Sequence, residues 1–416
     1  VHQRSVHMRV LIIGLGTRGD VAPYTGLGAR LRDAGHEVAI AAHQPYGHLV
    51  TASGLEFRAI PGDPIPLLPV AVGGAKVAPV AKARMFADYG RKSADGIVQA
   101  AERGADVLLL NAPASAGYHV AEAMSLPSIG VHLQPIEPTG DFPPVMGAFP
   151  RSLGRWGNRA AARLLFTVPS PAHAGSAKDL RARLGLPATT SREVYRRRET
   201  TRWPVFHGYS ASVLPRPADW REGLEVAGYW WPERTPGWRP PAKLLDFLES
   251  GPPPVFVGFG SMASANLDRH TEIALAALRR ARLRGVLQTG PAGMAAEGDD
   301  VLGVEDVPHD WLFPRMAAVV HHAGSGTTAA GIRAGVPAVG LPAVADQRLW
   351  ASRLATLGVG PGAIPFRSLS AGRLAAALGA AVSDQTYRRR AAELAGRVDA
   401  EDGALAVVEA VGRLAG

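Results

Sequence analysis

The sequence predicts an α/β protein built as two Rossmann-like domains facing across a cleft. Three observations carry that expectation. The 416 residues are too many for one core and suit two domains of about 200 residues each. Short apolar runs alternate with helix-like stretches, the pattern of parallel strands joined by helical crossovers. That alternation breaks in a Trp- and Pro-rich stretch and then starts afresh. One domain is therefore expected at 1–238 and a second, with the C-terminal helices, at 239–416.

Residues 1–7 precede Met8, where the first apolar strand begins, and are read as a leader. Strands are expected at 8–14, 36–42, 107–110 and 128–132, with a helix over 22–34 closed by Gly35. Proline and glycine crowd 61–69 and 135–150, which read as long loops of the kind that line binding sites. Five of the eight tryptophans fall between Trp203 and Trp238, where packing near the domain junction is the expected role. Beyond Pro240 and Pro241 the pattern restarts with a short helix. Further strands are expected at 255–259, 285–288, 317–321 and 337–340.

Composition narrows the chemistry. There is no cysteine, which excludes a disulfide scaffold, a thiolate nucleophile and a cysteine zinc site, and which suits a cytoplasmic setting. No apolar run approaches the ~18–20 residues of a membrane span, so no stable membrane insertion is expected. The formal charge of +9 is mostly arginine spread along the chain rather than gathered into an aromatic-studded patch. The dense runs 196–198 and 388–390 read as solvated helix faces, so nucleic acid is not an expected partner. A mildly basic enzyme suits an anionic substrate such as a nucleotide diphosphate.

Gly14, Gly16 and Gly19 form a GxGxxG after the first strand, the spacing of a dinucleotide fingerprint. Two features oppose that reading. Strand two ends on Ala42 and His43 instead of the acid that would hold a ribose, and Asp20 stands where a pyrophosphate would meet the helix. A helix N-cap is the structural alternative for Asp20. Its place at the carboxyl end of a parallel strand, where open α/β sheets bind ligands, favours a functional role.

A second loop runs His321, His322, Ala323, Gly324, Ser325, Gly326, Thr327, Thr328 between a strand and a helix. It lacks the GK[ST] ending of a Walker loop. It offers backbone amides, hydroxyls and an imidazole at a helix N-terminus, a diphosphate cradle that needs no metal. A tight turn with a satisfied core histidine is the alternative. Gly258, Gly260 and Ser261 end another strand in a small polar turn, and Asp346 with Gln347 follows Leu341 and Pro342 after the strand expected at 337–340. Such a pair grips sugar hydroxyls or merely caps a helix.

Taken in order, these motifs resemble the GT-B, family 1 glycosyltransferases, above all the sterol glucosyltransferase branch and the bacterial enzymes that decorate glycopeptide antibiotics. The similarity extends from Met8 to about Leu378, through Thr17–Asp20, 208–230, 251–261, 307–313, the HHAGSGTT loop, and Asp346-Gln347 with Trp350 and 357–360. The resemblance implies that Asp20 is the general base on the acceptor hydroxyl. It places Thr17, Arg18 and Gly19 beside the donor phosphates, and Ser261, His322, Gly324, Ser325, Gly326 and Thr327 around the diphosphate. Val307 and His309 would hold base and ribose; Asp346 and Gln347 would hold the sugar. The chain departs from the plant enzymes at Asp306, where they stack uracil on Trp, at Ala330, where they hold ribose with Glu, and at Asn111, where their catalytic His has a supporting Asp.

The expected activity is inverting transfer of glucose from UDP-glucose, without metal or cofactor, onto a hydroxyl of a hydrophobic natural product, phenol, macrolide or sterol. Three rivals are weighed. An NAD(P)-dependent oxidoreductase lacks its ribose acid. A retaining enzyme of this fold needs paired Glu, and none occurs between Glu305 and Glu393. A non-catalytic nucleotide-sugar-binding partner would have no use for Asp20.

Overall fold

The computed structural model describes residues 7–67, 77–146, 149, 151–168, 171–234, 236–259, 267–288, 297–343 and 346–414. The chain divides into two compact units. The first holds β1 (Arg9–Gly14), β2 (Glu37–His43), β3 (Glu56–Ile60), β4 (Val107–Leu110), β5 (Ser128–His132), β6 (Val205–His207) and β7 (Leu224–Val226). They pair in parallel in the order β3-β2-β1-β4-β5-β6-β7. Strands β1, β2 and β4 are apolar nearly throughout, as a sheet covered on both faces requires.

The second unit carries β8 (Val255–Gly258), β9 (Gly285–Gln288), β10 (Glu297–Gly298), β11 (Val301–Val304), β12 (Ala318–His321) and β13 (Ala338–Gly340). Their order is β10-β11-β9-β8-β12-β13, parallel except for β10 against β11. In both sheets the order reverses beside the first strand: between β1 and β4, and between β8 and β12. Loops at the carboxyl ends of those strands are where open α/β sheets take ligands. The loop carrying Asp20 follows β1 and the HHAGSGTT loop follows β12.

The domain expectation is corrected at the C-terminus. Asp402–Gly416 belongs to the first unit, not the second, while Ser212–Leu214 belongs to the second. The physical cause is burial: Ala404, Val407, Ala410 and Val411 complete the apolar core that covers β1, β2 and β4. Trp230 Nε1 donates to Gly403 O at 2.8 Å, and a side chain at 403 would strike the backbone of Gly228, 2.6 Å from its carbonyl carbon. Trp203, Trp220 and Trp230 are all buried in the first unit. Arg198 also departs from its expected solvated face; it turns onto the Trp203 ring at 4.1 Å and bonds buried Glu137 at 3.1 Å. The loop at 61–69 is described only to 67, and the one at 135–150 lacks 147, 148 and 150.

Candidate active site

The loop after β1 folds around its own carboxylate. Thr17, extended, caps the helix Arg18–Asp33, and Asp20 is that helix's third residue, so Asp20 is not itself the N-cap. The Thr17 amide donates to Asp20 Oδ2 at 2.9 Å and the Thr17 hydroxyl at 3.0 Å, a capping box. Gly16 makes this possible: its φ is +125°, and a Cβ there would lie 2.7 Å from Asp20 Cγ. In a dinucleotide fingerprint that second glycine admits the pyrophosphate. Here the carboxylate fills the space. At the end of β2, His43 is buried, donating from Nδ1 to Ile60 O at 3.2 Å and accepting from Tyr89 OH at 2.9 Å. The dinucleotide reading is therefore not favoured.

Burial pushes the Asp20 carboxyl above its ordinary range, opposed by hydrogen bonds from Thr17 and from the Gln134 side chain. A carboxylate of raised pKa is a stronger base toward a hydroxyl proton. Asn111, where a supporting acid was sought, does not serve Asp20. Its Nδ2 donates to Leu15 O at 2.7 Å and its Oδ1 accepts from Ala114 N at 3.2 Å, tying the ends of β1 and β4 together. Gln134 was missed from sequence. The signal available was its place two residues past β5, at the carboxyl edge where the 135–150 loop starts.

The loop after β12 is built differently. Its helix, Ser325–Arg333, has Gly324 as N-cap and hence no side-chain cap. Gly324 has φ −65°, which any residue adopts, so the glycine is not there for backbone freedom. It is there for space: a Cβ at 324 would strike the His322 ring, with Cδ2 3.2 Å away. The imidazole thus lies over the helix N-terminus. Ala323 takes φ +60°, and its amide donates to His321 Nδ1 at 3.0 Å. Burial drives His321 to about 3 and His322 to about 4, so both are neutral at pH 7. Among the described residues, His322 Nδ1 and Thr328 Oγ1 are buried with no hydrogen-bond partner. A neutral imidazole, a hydroxyl and first-turn amides without a side-chain cap can receive an oxyanion.

Of the remaining expected residues of the second unit, His309 lies by the HHAGSGTT loop. His309 stacks on Phe313 at 4.3 Å and meets Phe256 edge-on, close enough to His321 to help lower its pKa. Val307 is buried. Asp346 accepts from the Trp350 indole at 2.9 Å, and Gln347 Oε1 accepts from Ala343 N at 2.9 Å. Asp346 precedes the helix Gln347–Leu357 but its side chain makes no capping bond there. Ser261 lies outside the described residues. Among the described residues no group of three or more His, Cys, Asp or Glu is placed to hold a metal ion.

Two sheets of this order, each with its polar loop at the strand reversal, define a two-domain α/β protein with a candidate ligand loop in each unit. The profile of the glycosyltransferase family 28 N-terminal domain matches 10–135, and that of the erythromycin biosynthesis protein CIII-like C-terminal domain matches 289–414. The chain is 37% identical to the O-mycaminosyltylonolide 6-deoxyallosyltransferase of Streptomyces fradiae, over 95% of both chains. It is 32% identical to a sterol 3-beta-glucosyltransferase of Arabidopsis thaliana, over 97% of this chain and 65% of that one. Among solved structures, the glycotransferase of kitacinnamycin superposes with TM-score 0.75 at 20% identity over 98% of this chain and 99% of that one. The spinosyn forosaminyltransferase SpnP gives 0.70 at 18%, over 98% and 99%. This chain belongs to the GT-B, family 1 glycosyltransferases.

Proposed function

We propose that the enzyme transfers a hexose, with inversion and without a metal, from a nucleoside diphosphate onto a hydroxyl of a hydrophobic natural product or sterol. The observation that carries this is the pair of loops: one holds a carboxylate of raised pKa, the other an oxyanion cradle with a neutral imidazole. The acceptor oxygen attacks the anomeric carbon as the bond to the diphosphate breaks. Its proton passes to Asp20. The charge gathering on the diphosphate is met by His322, first-turn amides and the hydroxyls of Ser325 and Thr327. Asp346 and Gln347 hold the sugar, and Val307 with His309 the nucleoside.

Glucose carried by UDP is the donor suggested by the sterol glucosyltransferase relatives. A second reading, a 6-deoxyhexose, is favoured by the name of the 37%-identical relative, whose acceptor is O-mycaminosyltylonolide. A donor panel of UDP- and TDP-linked hexoses and 6-deoxyhexoses, run against macrolides, phenols and sterols with mass-spectrometric detection, separates the two. The anomeric coupling constant of the product tests inversion. Activity should persist in excess EDTA; complete loss, restored by Mg²⁺, would overturn the metal-independent reading. Turnover on no donor would overturn the transfer reading itself.

A further inference from the structure

The helix Gly154–Thr167 wears its apolar side outward. Inward it presents Asn158 and Ala162. Asn158 donates to Gly140 O at 3.1 Å and Ser152 Oγ at 2.9 Å and accepts from Leu153 N at 2.9 Å. Phe166 meets Tyr195 of the helix Ser191–Thr200 at 5.7 Å. On the opposite side Trp156, Ala160 and Leu164 stand at successive helical turns, with Leu153 and Val168 at the ends. Trp156 is 86% exposed and Leu164 60%. A surface helix ordinarily shows the reverse.

The rim of this stripe is basic. Arg151, Arg155, Arg159 and Arg163 border it, and 142–178 contains no Asp or Glu. Arg155 pairs with Asp141 at 2.6 Å and Arg159 faces Asp219 at 3.7 Å. Arg151 and Arg163 are exposed, Arg163 lying beside the Tyr195 phenol. Aromatic and leucine side chains on one face with arginines at the border match the chemistry of a helix lying in a membrane interface. A second copy is disfavoured, since a two-fold contact would oppose two like-charged rims. The chain's formal charge of +9 adds attraction to an anionic surface at longer range.

We propose that this face docks onto an anionic lipid surface, with Trp156 and Leu164 entering the headgroup boundary and the arginines meeting lipid phosphates. The proposal stands apart from the donor and acceptor above, because vesicle binding is measured without turnover. The experiment is co-sedimentation of the full chain with phosphatidylcholine vesicles, with and without phosphatidylglycerol. Partition should be at least about tenfold higher with the anionic lipid and should fall as salt rises. Trp156→Ser with Leu164→Ser should lower it at least about tenfold, since each loses apolar area at the interface. Arg151→Gln with Arg163→Gln should lower it too, with the melting temperature of each variant unchanged. Equal binding to both vesicles, or binding indifferent to the Trp156 and Leu164 changes, would overturn the proposal. So would a self-associated chain that the same changes dissociate, or a raised KM for a water-soluble acceptor with no vesicle binding at all.

Discussion

The two glycine loops look alike in sequence and solve opposite problems. Each follows a parallel strand at the reversal of its sheet and opens a helix. In the loop after β1, Gly16 clears space for Asp20, whose carboxylate occupies the positive end of its helix. In the loop after β12, Gly324 clears space for the His322 ring, and the helix end carries no side-chain anion. The first loop has supplied its own negative charge; the second is left to receive one. What distinguishes the two loops is which side chain the missing Cβ makes room for: a carboxylate at Gly16, an imidazole at Gly324.

Asp20→Asn gives the largest expected effect. Asn accepts the Thr17 amide as Asp does, so the loop should hold its shape while kcat falls by about 10²–10⁴. The Asp20 pKa is raised in the fold, so its stabilising share is present below the unfolded value and lost as pH rises through the folded one. The Asn variant should therefore melt no lower than wild type at pH 7. More than a tenth of wild-type turnover, with chemistry rate-limiting, would remove Asp20 from the mechanism and leave only a capping residue.

His322→Ala should lower kcat by about 10²–10³, the usual worth of one oxyanion donor, and weaken UDP binding as well. Acceptor binding should barely change. Unaltered UDP affinity in calorimetric titration, together with a clear drop in melting temperature, would return His322 to a core role.

The glycines test the comparison directly. Gly16→Ala meets both a φ of +125° and the Asp20 carboxylate, so it should cost about 1–3 kcal/mol of stability and at least about tenfold in kcat. Gly324→Ala meets no backbone strain; it should displace the imidazole and raise the UDP dissociation constant several-fold with little change in melting. If Gly324→Ala destabilised as much as Gly16→Ala while UDP affinity held, the contrast between the loops would collapse.

The pH dependence of stability gives a test that needs no ligand. His322 is held near 4 and His321 near 3 by burial, against about 6.5 unfolded. With folded values depressed, their contribution is complete above pH 6.5 and is lost as pH falls toward 4. Each contributes a slope of at most about 1.4 kcal/mol per pH unit in that window. Wild type should thus lose melting temperature between pH 6.5 and 4 faster than His322→Ala, and parallel curves would show that His322 titrates normally.

Much of this was legible in the chain. The bounds of strands 107–110, 128–132 and 285–288 are legible in the sequence; the first is an unbroken apolar run, and the other two are short apolar centres set between turn residues. The short strands β3, β6, β7 and β11 were not. β3 and β7 carry charged residues, β6 is only three residues long, and β11 has a glycine inside its four residues, so pairing partners rather than local pattern decide them. Asp20, His322, Asp346 and Gln347 stand out as candidates through motif order; Gln134 does not, because its place beside Asp20 depends on where β5 ends.

The sequence by itself determined the two-unit α/β plan, the absence of cysteine chemistry, and which residues are candidates for the base and the cradle, since each rests on local pattern and residue type. Only the tertiary structure decided that both loops lie at sheet reversals, because strand order is a property of long-range pairing. It alone showed that Asn111 braces Leu15 rather than Asp20, and that Ala404, Val407, Ala410 and Val411 complete the first unit's core. Those outcomes depend on which distant surfaces bury together, and no local stretch of chain encodes its own neighbour.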